Sequence, residues 1–289
     1  MSISDNNKRI AKNTLMLYFR MLLIMGVSLF TVRVVLDTLG TVDYGIYNVV
    51  GGIVLMFSFL SGTMAAASQR FFSFELGRNN FAQLKKTFAM TMTIYVIIAV
   101  IILVMAETLG LWFLNNKMTI PPERMDAARW VYQFSILAFM MTMFTVPYNA
   151  TIIAHEKMKV YAWVSIVEVI LKLLIVYILV VFSFDKLKLY AVLMFGVTTL
   201  ITLIYRRYCN RNFEESRFSF YWDIKLFKEI LGFSGWNLFG ALAGIFKSQG
   251  VNILLNVVFN PVVNVAWRIA YPVNSALTTL VQRFFTAVN

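Results

Sequence analysis

The sequence predicts an all-α polytopic membrane protein with about eight transmembrane helices, and three observations predict it. The 289 residues are 60% hydrophobic and only 14% charged, with a mean hydropathy of +0.72. Soluble domains are nearer half apolar and about a quarter charged. Apolar runs of roughly 18 or more residues recur along the whole length, each able to cross a hydrocarbon core of about 30 Å. The segments between them are short and leave no room for a soluble domain.

The first span, 15–36, follows a basic N-terminus, "MSISDNNKRIAKNTL", with no small-residue cleavage site behind the apolar run. It therefore reads as a retained signal-anchor. It holds Arg20 and Arg33, although a charge at bilayer depth costs about 2.5–3.5 kcal/mol on insertion scales. At 100° per residue, Asn13, Arg20, Thr31 and Thr38 fall on one line. Arg20 lies about 8 Å inside the span's edge, so snorkelling and a wet, protein-lined position both stay open. Arg33 has Asp37 one turn on and reads as a helix-surface ion pair.

The second, third and fourth spans, 44–72, 87–114 and 127–153, are each apolar enough to cross, with Glu107 the one carboxylate well inside them. The fifth, 160–182, places Tyr161, Ser165, Glu168 and Lys172 on one face, with Lys172 near mid-depth where snorkelling is hardest. A Glu–Lys pair that neutralises itself is the structural reading. Such a pair is often no better for stability than apolar packing, so a substrate or ion path is the functional one. The sixth span, 189–208, leads into "RRYCNRNFEESRFSFYWDIKLFK", whose aromatic and basic residues suit an amphipathic interfacial segment.

The seventh span, 230–259, carries five glycines and a polar stripe of Ser234, Asn237, Ser248 and Asn252, with Lys247 near mid-depth. It is expected to bend or to pack closely, as glycine-rich membrane helices do. The eighth, 262–285, has Arg268 about 10 Å deep, one turn before a kinking Pro272.

Lysine and arginine outnumber their counterparts roughly three to one on the side holding the N-terminus, which places that terminus in the cytoplasm. The net charge of +12 is then a matter of topology, and no basic domain for nucleic acid is present. One cysteine, Cys209, allows no intrachain disulfide, and His155 in "HEKMK" lacks the second histidine of a zinc helix. No metal or cofactor is expected. Neither a nucleotide loop nor a carboxylate pair suited to acid–base work is found, so an enzyme is not expected.

Six spans return the chain to its starting side, so the seventh enters as the first does, and a second lobe can repeat the first in parallel. "QRFF" at 69–72 and again at 282–285, closing spans two and eight, supports the repeat. The domain expectation is a six-helix lobe over 1–222 and the first two helices of a second lobe over 223–289. On this reading the chain is a shortened one.

Three stretches carry a resemblance to a known family. The start of the first span has Asn-Thr-Leu at 13–15, its end reads Arg-x-x-Leu-x-x-Leu-Gly, and Asp43-Tyr44-Gly45-x-Tyr47 opens the second. With "NVAWRIAYPV" and the closing "FFTAVN", these resemble polysaccharide-biosynthesis flippases of the multidrug/oligosaccharidyl-lipid/polysaccharide exporter superfamily. The resemblance implies two six-helix lobes around a cavity that moves undecaprenyl-diphosphate-linked oligosaccharide across the bacterial inner membrane. It also implies membrane lipid and a coupling cation or proton as partners. Similar lipid II flippases hold the diphosphate with arginines in helices 1, 2 and 8. Arg20 and Arg268 stand in comparable places, whereas the second span has no arginine in its middle. The expected substrate-binding set is Arg20, Glu168, Lys172, Asn237, Lys247 and Arg268. The alternative is a cation-coupled multidrug exporter of the same fold, which would prefer a carboxylate where this chain has Arg20.

Overall fold

The computed structural model describes residues 3–55, 58–118, 120–182 and 185–258. Among them the chain is helical throughout, without a strand: α1 (Ile3–Leu55), α2 (Ser58–Gly77), α3 (Phe81–Met105), α4 (Leu111–Asn116), α5 (Met125–Ala154), α6 (Met158–Val181), α7 (Lys186–Asn212) and α8 (Ile224–Val258). Internal hydrogen bonding explains that uniformity, because lipid offers no partner to an unpaired backbone N–H or C=O. Five stretches are long and apolar enough to cross a bilayer: Tyr18–Gly52, Phe81–Asn116, Pro122–Ala154, Met158–Val181 and Lys186–Asn212. This is a multi-pass membrane protein. The expected eighth span, with Arg268 and the second "QRFF", lies outside the described residues.

The first two expected spans meet inside α1 at Gly40, whose φ of 79° and ψ of 167° interrupt the helix. That combination is essentially confined to glycine, because a Cβ there strains the backbone. Helix starts further on are set by short acceptors. Asn80 accepts from the Gln83 N–H at 3.1 Å to begin α3. Asp185 accepts from the Leu187 and Lys188 N–H groups to begin α7, as side-chain oxygens at N-caps do.

Helices α5 and α7 pack against each other, α1 lies on α5 and α6, and α2 and α3 close on α5. Between lipid-bathed helices the attraction comes from close packing and polar contacts rather than from water exclusion. The core is mainly aliphatic, methionine and phenylalanine side chains, with a few buried tyrosines. Tyr132 is fully buried and donates from its hydroxyl to the Ala106 carbonyl at 2.7 Å. Residues Ala106–Gly110 form a π-helical turn between α3 and α4. A Cβ on Gly110 would lie 1.9 Å from the Tyr132 hydroxyl, so only glycine fits beside it.

The stretch after the sixth span, expected to be an amphipathic interfacial segment, is divided between two helices and a link. Residues up to Asn212 extend α7, 217–223 are non-helical, and Asp223 caps a new helix by accepting from the Lys225 N–H at 2.8 Å. Phe218, Phe220 and Trp222 are exposed there. The glycines of α8 were expected to let the helix bend or pack closely, and among the described residues a Cβ on Gly232, Gly235 or Gly240 would meet nothing within 4 Å. Helix α8 rests on α2 and α3 through larger groups instead, with the Phe233 ring edge-on to Phe71 and beneath the Arg70 guanidinium.

Candidate functional site

The polar stripes of α1 and α6 face one another. Arg20 of α1 lies over the Tyr161 ring of α6, 4.2 Å from its centroid. One turn along, Ser165 is buried and donates to the Tyr161 carbonyl at 2.9 Å. Lys172 donates to Glu168 at 2.6 Å, each side chain a little over one-third exposed. From α7, Tyr205 is buried against the same seam, facing Ser165 within electrostatic reach of Tyr161, Arg20 and Glu168. Three helices therefore converge on one guanidinium, one ion pair and two phenols.

The seam is incompletely satisfied. Among the described residues, Arg20 Nε is buried with no hydrogen-bond partner, and so is Thr31 Oγ1 on the same stripe of α1. A buried donor left unpaired typically costs about 1–3 kcal/mol. A group with anionic oxygens would remove that penalty at Arg20, since a guanidinium presents five donors and the ring already fixes its plane.

Of the six expected binding residues, the structure brings Arg20, Glu168 and Lys172 into this seam. Asn237 is half-buried on α8, the helix that packs on α2 and α3. Lys247 belongs to α8, but its side chain lies outside the described residues, as does Arg268 entirely. Arg33 and Asp37 are both exposed and form no ion pair among the described residues, a correction to the helix-surface pairing expected of them.

Sequence reasoning missed the best-formed charge cluster. Arg124, at the start of α5, donates to Asp43 Oδ1 at 2.8 Å from Nε, and again from its terminal nitrogen to Oδ2. It reaches Asp185, the cap of α7, at 3.1 Å. Nearby, Lys188 pairs with Asp126, Lys186 meets the Thr38 carbonyl at 3.5 Å, and the Tyr47 and Tyr190 rings meet edge-on at 4.7 Å. The quoted Asp-Tyr-Gly-x-Tyr run was the available signal, since its Asp43 and Tyr47 both act here.

At the N-terminal side, His155 sits 2.5 Å from Glu215 and stacks on Phe213 with ring centroids 4.1 Å apart. Burial pushes the Glu215 carboxyl up. The His155 hydrogen bond, its own backbone N–H and the imidazole charge outweigh that and hold it below the ordinary 4.5. Among the described residues no three His, Cys, Asp or Glu side chains group as metal ligands would.

A sequence profile described as polysaccharide biosynthesis protein matches residues 10–289, and the chain belongs to that family. No curated protein matches it in sequence. Its fold is that of transporters of the MOP superfamily. A Vibrio cholerae MATE transporter in a bent form superposes with a TM-score of 0.72 at 16% identity, over 99% of this chain and 65% of that one. An outward-facing multidrug resistance MATE transporter gives 0.69 at 14% identity, over 96% and 63%. A MOP transporter from Pyrococcus furiosus, described by a reversed polarity of its binding pocket, gives 0.68 at 13%, over 96% and 63%. The chain thus spans under two-thirds of the length of these structures.

Proposed function

We propose that the chain serves to flip undecaprenyl-diphosphate-linked oligosaccharide across a bacterial inner membrane during surface polysaccharide biosynthesis. Family membership supports the substrate class. The observation that carries the mechanism is the Arg20 guanidinium, braced on Tyr161 with a buried, unpartnered Nε, beside the Glu168–Lys172 pair. In this reading the N-terminus is cytoplasmic, residues 1–222 form the first lobe, and 223–289 begin the second.

A diphosphate arriving at the seam accepts from Arg20 through forked N–H groups, and Lys172 exchanges part of its bond to Glu168 for a phosphate oxygen. Glu168 keeps the empty site near neutrality, which lowers the cost of holding Lys172 at depth without substrate. Asn237, Lys247 and Arg268 are assigned to the facing side of the path. The polyprenyl tail stays in lipid while rocking of the lobes carries the sugar across.

Cation-coupled multidrug export is the second reading, because solved structures sharing the fold include multidrug transporters. One experiment separates them. The chain and its Arg20→Ala and Lys172→Ala variants are expressed in a bacterium lacking its own flippase of this class, and surface glycan is quantified beside dye efflux. Glycan restored by the wild type and reduced at least tenfold in both variants is the expected result. Equal glycan in all three rejects the site, and dye efflux without glycan favours the multidrug reading.

A further inference from the structure

A second lipid-directed feature lies on the other side of α7 from the seam. While Tyr205 turns inward, its neighbours Arg206 and Arg207, with Arg211 one turn on, are exposed. Together with Leu203 and Asn210 they line a cleft of about 560 Å³. None of the three guanidinia pairs with an acid among the described residues.

Topology alone accounts for basic residues at this helix end, but not for what adjoins them. Leu203 and Arg206 also belong to a second groove of about 220 Å³, running between α3, α5 and α7. Its walls are Met92, Val96, Met141 and Phe144, and Phe218 from the non-helical 217–223 segment stands at its rim. At 1.5 Å per residue, Arg206 lies about 9 Å from the end of α7 and Met141 about 20 Å from the end of α5. The groove therefore starts at the charged rim and runs toward mid-bilayer. It is open to lipid, with Val96 40% and Leu203 48% exposed.

We infer that this is a seat for an anionic phospholipid of the leaflet facing the N-terminus. The phosphate lies among Arg206, Arg207 and Arg211, and one acyl chain fills the methionine-lined groove. Charge complementarity selects the headgroup, since arginine forks match phosphate oxygens. The continuity of cationic cleft and apolar groove selects a lipid over a free anion. Flexible methionine walls suit a chain of many conformations. The occupant is a resident of the bilayer and not the transported glycolipid, because the seat is separated from the Arg20 seam by α7 itself.

Native mass spectrometry of the purified chain tests this with phosphatidylglycerol, phosphatidylcholine, undecaprenyl phosphate and inorganic phosphate as probes. The wild type is expected to bind phosphatidylglycerol at least tenfold more tightly than phosphatidylcholine. The triple variant Arg206→Gln, Arg207→Gln, Arg211→Gln loses that preference. Val96→Phe, which fills the groove and leaves every charge in place, weakens binding at least threefold and guards against misinsertion of the triple variant. Equal phosphatidylglycerol occupancy in all three proteins overturns the inference. So does inorganic phosphate binding as well as the lipid, or undecaprenyl phosphate displacing the phospholipid preferentially. None of these readouts depends on glycan export.

Discussion

Arg124 and Arg20 are the same residue type in one bundle, and they are treated in opposite ways. Arg124 has both its sides occupied, by Asp43 and by Asp185, and thereby ties the starts of α5 and α7 to α1. Arg20 has a ring beneath it and a buried nitrogen with no partner among the described residues. A guanidinium with carboxylates on two sides fastens helices together. One with a buried Nε left over is the group that the proposed function assigns to the diphosphate.

That contrast can be broken in graded steps. Arg124→Ala should have the largest effect on stability, about 2–3 kcal/mol, because it orphans two partly buried carboxylates. Equilibrium unfolding in mixed micelles measures it. Arg124→Lys should recover less than half, since one ammonium does not serve two carboxylates in a fork. A smaller loss is expected on acidification through Glu215. Its folded value lies below the unfolded one, so its contribution is complete above about pH 4.5 and disappears as pH falls through the lower folded value. Glu215→Gln should remove that acid-dependent part of the melting curve, and an unchanged curve would show that the His155 contact contributes nothing. Arg20→Ala should be the mildest, below about 1 kcal/mol, because it forfeits only stacking on Tyr161. A loss equal to that of Arg124→Ala would make Arg20 a fastener too, and the contrast would vanish.

The spans were legible because hydrophobic length is read directly from composition, and the face of α6 was legible because 3.6-residue spacing needs no tertiary knowledge. Glu168 and Lys172 were therefore found as a pair. That Arg20 meets Tyr161 required knowing that α1 lies on α6, which no local pattern states. Arg33 and Asp37 show the converse error, since correct i,i+4 spacing does not compel two exposed side chains to meet. The Arg124 cluster joins residues 61 and 81 positions apart in the chain. Charges at span ends look like topology signals until their neighbours are known. At Gly232, Gly235 and Gly240 close approach was one of two expectations, and small residues permit it without causing it.

Gly40 leaves one more consequence. The corner it makes is pinned two residues before, where the Thr38 carbonyl receives Lys186, and three residues after, where Asp43 holds Arg124. A turn whose backbone suits glycine alone, and whose flanks are bolted to the tops of two other columns, is an elbow in plaster rather than a joint. The arms on either side of Gly40 are thereby joined as one stiff chevron, braced against the starts of α5 and α7.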